Sequence, residues 1–326
     1  MAVDLSVIVV NWNSVTYLRS CLQSVLCAGG PLVVEVIVID NGSFDGSDAF
    51  VAREFPTVRF IQSRENGGFA RANNRAFEEA TGRNVVFLNP DTEVVGAALE
   101  RMSRFLDTVH DVGAVGCRLL NTDGTLQMSC IQSFPTLINQ AVDAELLRKV
   151  APRSPLWGMR ALFEDPRTPA RVEAVSGACL MIRSATFELV GRFSEDYFMY
   201  AEDLDLCFKL HQAGFANYYL GSAEVVHHGG QSSSAASEGH FANIVMRESV
   251  ARFMRLRRGV LSCYLYRATT GIAAAARVSF LAIALVATLG QVHRPALQRA
   301  LRKWTRILNW TLGREQWATR LGQPAA

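Results

Sequence analysis

No Cys-X-X-Cys pair occurs in this 326-residue chain. Its seven cysteines, Cys21, Cys27, Cys117, Cys130, Cys179, Cys207 and Cys263, are odd in number and mostly scattered through apolar runs, a pattern that argues against a zinc ribbon or a disulfide framework. They read as reduced core side chains of a cytoplasmic protein. No basic segment precedes the first apolar run, so the start reads as a first strand rather than a signal peptide. No GxxxxGK[ST] loop is present, which excludes a Walker-type phosphate site, and no GxGxxG follows the first strand, which leaves a nicotinamide site unsupported. No internal repeat is visible. Acids are scarce at the C-terminal end: residues 241–326 hold 14 Lys and Arg against Glu248 and Glu315, a balance of +12 that leaves −9 for residues 1–240. A basic tail on a mildly acidic body points to an anionic surface, and an apolar stretch at 268–290, broken among ionisable residues only by Arg277, favours lipid over nucleic acid.

What is present is a regular α/β alternation. Short β-branched runs at 5–10, 33–39, 58–61, 85–88 and 112–117 are separated by helix-compatible segments near 15–27, 46–54, 68–80 and 96–108. This predicts a doubly wound, mainly parallel sheet with helices on both faces, whose ligands sit beyond the carboxyl ends of the strands. Residues 11–13, 40–43 and 89–91 occupy those ends. Prolines break the pattern between 131 and 171. A strand over 172–182, a short helix from 185, a helix over 203–213 and short strands at 216–220 and 223–226 follow, and residues 229–239 read as a linker. The expected division is an α/β domain at 1–240 and a basic, partly apolar helical extension at 241–326.

Several positions have the chemistry of a site. Asp40-Asn41-Gly42-Ser43 ends a strand, where a carboxylate can meet a base edge or simply make a turn. Gly67 and Gly68 precede a helix whose N–H groups, with Arg71, could hold phosphate, although a plain helix entry explains them too. Asn89-Pro90-Asp91 follows the fourth run, and Asp91 is placed to hold a hard cation against a diphosphate or to cap the next helix. Glu202, Asp203 and Asp205 stand at a helix start behind Phe198, Met199 and Tyr200; they are helix caps, or carboxylates desolvated enough to take a proton. His227 and His228 follow a strand, as structural residues or as a ligand if their loop folds towards Asp91.

In this order, NWNS at 11–14, VIDNGSFDGS at 38–47, NGGFARANN at 66–74, FLNPDT at 87–92, SGACLMIR at 176–183, FMYAEDLDLCFKL at 198–210 and HHGGQS at 227–232 resemble the family 2 glycosyltransferases, in particular their bacterial rhamnosyltransferase-like branch. The resemblance covers residues 3–232. It implies a GT-A fold, a nucleotide-diphosphosugar donor, a divalent Mg or Mn ion, and inversion at the anomeric carbon. By matching positions it implies a nucleotide pocket lined by Asn11, Asn13, Asp40, Asn41, Gly68, Arg71 and Asn89. It further implies a metal on Asp91 and His227, and catalysis by Asp203 with Glu202 beside it. The first acid of the common DxD form is here Asn89, so one carboxylate is missing from the metal shell. A dTDP-rhamnose donor is favoured, with a UDP-sugar as the other choice. Two other readings are a sugar nucleotidyltransferase, whose GxGTR-like loop would stand where Asn11-Trp12-Asn13-Ser14 does, and a membrane-associated nucleotide-sugar sensor without turnover.

The extension suggests where the acceptor lies. Ile244, Val245, Val250, Phe253 and Met254 fall near helical spacing among Arg247, Arg252 and Arg255, which fits either a membrane-surface helix or one packed on the body. The expectation is a peripheral enzyme at the cytoplasmic face, acting on a lipid-linked saccharide, with pairing of subunits as a further use of the tail.

Overall fold

The computed structural model describes residues 2–141, 145–229, 240–287 and 294–321. The expected linker at 229–239, beyond Gly229, and the last residues of the 268–290 stretch lie outside the described residues. The chain forms two compact units, one from residues 1–134, 145–198 and the chain from 202 through the last strand, the other from 135–144, 199–201 and the C-terminal helices.

In the first unit, β1 (Leu5–Asn11) is buried at every position and pairs in parallel with β2 (Val34–Asp40) on one side and β4 (Asn84–Leu88) on the other. Burial on both faces explains its unbroken apolar run. β3 (Arg59–Gln62) closes that edge. The crossovers are α1 (Val15–Ala28), α2 (Ser47–Glu54) and α3 (Phe69–Phe77). Thr92–Val95 forms β5, after which α4 (Ala98–Thr108) buries Leu99, Met102 and Leu106 at helical spacing and leads to β6 (Val112–Leu120). With β10 at Cys179–Arg183 and β11 at Ala216–His227, the sheet order is β3-β2-β1-β4-β10-β6-β11-β5.

The second half of this sheet is more mixed than the alternation suggested. The strand expected over 172–182 is three pieces, β8 (Ala170–Val172), β9 (Ala174–Val175) and β10 (Cys179–Arg183), with β9 paired to the two-residue β7 (Ile131–Gln132). β10 inserts antiparallel between β4 and β6. β9 crosses β6 where Gly116 stands; a Cβ there would lie 2.5 Å from Val175 Cβ, so only glycine admits the crossing. The two short strands expected at 216–226 are one, β11 (Ala216–His227), parallel to β6 and antiparallel to β5. Short helices α5 (Leu137–Ala141), α6 (Glu145–Val150) and α7 (Ser184–Leu189) precede α8 (Glu202–Gln212).

Under the strand ends, Phe87, Phe187 and Phe193 pack with centroids 4.8–5.2 Å apart, tying β4 and α7 to the segment that leads to α8. The second unit consists of α5, α9 (His240–Phe253), a π-helical turn at Met254–Arg258, α10 (Val260–Ala287), α11 (Arg294–Thr311) and α12 (Gln316–Arg320). Its core is Ile244, Val250, Met254, Tyr266, Ile307 and Trp310. α10 is the one helix among the described residues long and apolar enough to cross a membrane.

Candidate active site

The loops after β1 and β2 are joined through buried amides. Asn11 donates to Asp40 Oδ1 (2.7 Å) and to the hydroxyls of Ser43 (3.2 Å) and Ser47 (2.9 Å). Asp40 Oδ2 accepts from the Ser43 N–H (2.8 Å) and from Gln62 (2.7 Å). Asn13, held at φ 49°, donates its N–H to Ser43 Oγ, and its side-chain oxygen accepts from the Phe44 N–H. Asp45 accepts from the first N–H of α1, at Val15, which no neighbouring side chain caps. Asp40 is thus the hub of these loops, 1% exposed, with one donor on Oδ1 and two on Oδ2. Phe44 stands out from the same loop, 88% exposed.

Asn41 reaches across to the segment before α3, donating to Asn66 Oδ1 and the Gly68 carbonyl and accepting from the Gly67 N–H. Here a phosphate cradle at Gly68 and Arg71 does not fit the geometry. The N–H groups of Gly67, Gly68 and Phe69 already donate to Asn41 Oδ1, Asn66 Oδ1 and the Phe198 carbonyl. Arg71 pairs instead with Glu195 at 3.4 Å, in a polar groove lined also by Glu78 and Arg192. What Gly68 provides is closeness: at φ 86°, its Cβ would stand 2.3 Å from the Phe198 carbonyl oxygen. The start of α3 is therefore clamped to the chain that enters α8.

Register brings the other side chains together. β5 follows Asp91 directly, so Asp91 does not cap a helix; α4 starts only at Ala98. Pairing of Thr92 with His227 across β5 and β11 sets the imidazole beside the carboxylate, Nε2 to Asp91 Oδ1 being 3.4 Å. His228, the next residue, turns away to Glu93 (2.8 Å), as strand alternation requires. Gln127 then fixes the ring of His227. Its amide nitrogen donates to the His227 carbonyl (2.7 Å), which leaves its oxygen to accept from Nδ1 at 2.9 Å. The proton of the neutral ring is accordingly on Nδ1, and Nε2 presents its lone pair towards Asp91 and the Asn89 amide nitrogen (3.3 Å). Gln127 lies in the irregular stretch before β7, where no sequence signal marks it.

Asn89 also links this cluster to α8, because its N–H donates to the Ala178 carbonyl (3.0 Å) while the adjoining Gly177 N–H donates to Asp203 Oδ2 (2.9 Å). Asp203 and Asn89 are thus held by consecutive residues of one turn. Asp203 Oδ1 accepts from the Leu204 N–H, yet burial outweighs both bonds and raises its pKa above the usual carboxylate value. Glu202 is buried, with one oxygen unpartnered; burial first, then the charges of Asp203 and Asp205, push it up to about 8. Asp205, fully buried, accepts from Ser194 Oγ and Tyr197 OH and so braces the approach to α8. Just ahead of the acids, Tyr200 and Ala201 are both left-handed, at φ 68° and 63°, a backbone state uncommon outside glycine. Burial pushes the thiols of Cys21 and Cys207 up to about 12, so neither offers a nucleophile.

Residues 6–160 match the family described as Glycosyl transferase family 2. Over 255 residues the chain is 33% identical to an N-acetylglucosaminyl-diphospho-decaprenol L-rhamnosyltransferase of Mycobacterium tuberculosis, covering 73% of this chain and 80% of that protein. The chain is a family 2 glycosyltransferase. A second relative, a low-salt glycan biosynthesis hexosyltransferase of Haloferax volcanii, is 26% identical over 68% of this chain and 66% of its own length. The fold is that of a Pyrobaculum calidifontis mannosyltransferase solved with GDP-Man and Mn2+, at a TM-score of 0.59, 18% identity, and coverage of 96% of this chain and 87% of that one. Membership in the family of sugar transferases removes the nucleotidyltransferase and sensor readings.

The donor set suits a hard divalent ion in part. One carboxylate and one imidazole nitrogen converge at Asp91 and His227, and Asn89 brings an amide where a second acid is common. No group of three or more His, Cys, Asp or Glu that could hold a metal is found among the described residues. Two protein ligands completed by diphosphate oxygens are the arrangement such ions accept in nucleotide sites.

Proposed function

We propose that this enzyme transfers rhamnose from dTDP-rhamnose to a hydroxyl of a saccharide carried on a polyprenyl diphosphate, with inversion at the anomeric carbon. The observation that carries the choice of substrates is the 33% identity to the mycobacterial decaprenol-linked rhamnosyltransferase over four-fifths of that protein. In this reading Asp203 is the base. Burial and its acidic neighbours push Glu202 up to about 8, so it keeps its proton at neutral pH and adds no second negative charge beside Asp203, whose own proton affinity burial also raises. Asp203 takes the acceptor hydroxyl's proton as that oxygen bonds to C1; the bond from C1 to the diphosphate breaks, and its electron pair leaves with the nucleotide.

Asp91 and His227 would hold a Mg or Mn ion, which when bound neutralises charge on the departing diphosphate. Gln127 keeps the His227 lone pair turned towards that place, and the loops organised by Asn11, Asn13, Asp40 and Asn41 form the nucleotide side of the pocket. An acceptor carried on a lipid would be met at a membrane, and seven cysteines without a disulfide, five of them buried, fit its cytoplasmic face. Incubating purified enzyme with dTDP-rhamnose, UDP-galactose and UDP-glucose, each with a short-chain polyprenyl-diphosphate N-acetylglucosamine, tests the assignment. Rhamnosylated product formed only with metal is the expected outcome; transfer from a UDP-hexose alone would replace the donor, and none from any donor would remove the acceptor.

A further inference from the structure

α10 has two faces with different fates. One meets α11 in opposite chain direction: Gly271 lies against Thr311, Arg267 stacks over Trp310 (4.4 Å to the ring centroid), and Arg277 over Trp304 (4.3 Å). The two helices thus form an antiparallel hairpin, sealed by fully buried Ala274 and Ile307. The other face carries Leu261, Leu265, Ile272, Phe280, Ile283 and Val286, each between 42% and 75% exposed. At the angular step of a helix these six fall within about one third of the circumference. A continuous apolar stripe of that length on a protein surface marks a contact surface.

The charges around it have one sign. Both acids of residues 240–321 are buried: Glu248 accepts from the Trp310 indole at 2.8 Å with Arg267 at 3.3 Å, and Glu315 takes Arg306 at 3.0 Å and the Trp317 indole at 2.6 Å. Arg255, Arg258, Arg299 and Arg302 are exposed, and no exposed acid occurs among the described residues of that stretch.

We propose that the outward face of α10 is the surface by which this enzyme lies on an anionic bilayer, with the helix parallel to the membrane plane, its apolar stripe in the acyl boundary and the exposed arginines at its start, Arg255 and Arg258, at the lipid phosphates. The proposal deepens the lipid-linked reading above, on which it rests, by assigning the contact to one helix face. A spanning α10 is disfavoured by its partner, because α11 would carry Arg299, Arg302 and Arg306 into hydrocarbon along with it. A second copy of the chain is disfavoured by sign, since a two-fold pairing of this face brings like charges together.

Co-sedimentation with vesicles of phosphatidylcholine containing or lacking phosphatidylglycerol tests it, using wild type and Ile272→Glu/Ile283→Glu, whose two positions face solvent and leave the fold intact. Wild type should sediment with the anionic vesicles and at least tenfold less with neutral ones, and the variant should lose at least tenfold while matching wild type in transfer to a water-soluble short-chain acceptor. Loss of that transfer in wild type itself would count against the substrate reading and not against the surface. Equal sedimentation of variant and wild type overturns the proposal, as does wild type that stays soluble or pairs into a dimer that the two substitutions dissociate. An impermeant maleimide added outside the vesicles should modify Ala296→Cys, an exposed position at the start of α11 and off the proposed stripe, read by peptide mass; protection until lysis means a span and also overturns it.

Discussion

At the scale of single residues, the site is organised by two buried carboxyls and one oriented ring. Glu202 holds its proton to about pH 8 in the folded chain, whereas an unfolded glutamate releases it near 4.5. Between those values the folded state binds more protons, so this residue's contribution to stability falls as pH rises from about 4.5 and levels off above about 8. Glu202→Gln should lack that slope and gain on wild type towards alkaline pH, by an amount on the order of a few kcal/mol. Chemical denaturation of both proteins at pH 5.5, 7 and 8.5 checks this; parallel curves would mean that Glu202 is ionised in the fold. Gln127 makes no contact a sequence reading would predict, and its effect is indirect. Gln127→Ala should weaken metal-dependent donor binding by about 10- to 100-fold through a freed His227 ring, with stability little changed. Titration with Mn2+ at fixed nucleotide reads the difference, and an unaltered curve would leave His227 without a metal-facing role.

At the scale of elements, pattern reached the strands and helices but not their partners. Period and strand-end position correctly put Asn11, Asp40 and Asn89 at the carboxyl edge, because buried parallel strands write long apolar runs. The antiparallel insertion of β10 and the four-residue β5 left no such trace, since both depend on pairing with residues far along the chain. Yet β5 decides the site, as its register with β11 is what delivers His227 to Asp91. Glycines before α3 read as a phosphate loop; the structure uses Gly68 for a close backbone approach instead, which local sequence does not distinguish. Gly68→Ala should cost about 2–4 kcal/mol, from left-handed strain plus a clash with the Phe198 carbonyl. Gly46→Ala, at a similar positive φ with open space around it, should cost only about 1–2 kcal/mol. Equal losses in urea unfolding would show that closeness to Phe198 has no energetic weight.

At the scale of the whole molecule, composition anticipated the asymmetry between an acidic catalytic body and a basic C-terminal part, and the structure adds that both acids of that part are spent on internal pairs. Glu248 sits with Arg252, Arg267 and the Trp310 indole inside the helical unit. Glu248→Ala should therefore cost about 1–3 kcal/mol by removing the acceptor that the Trp310 indole shares with Arg252 and Arg267, seen as an earlier melting of the helical unit. What unites the catalytic unit is the turn at Gly177 and Ala178, which holds Asp203 on one side and Asn89, with Asp91 and His227, on the other. The account stands on Asp203 as the base that serves this arrangement, and comparing Asp203→Asn with wild type in steady-state transfer and in donor affinity measures that most directly. Turnover lower by about 10²- to 10⁴-fold with donor affinity unchanged is the predicted result; turnover within a few-fold of wild type would contradict it.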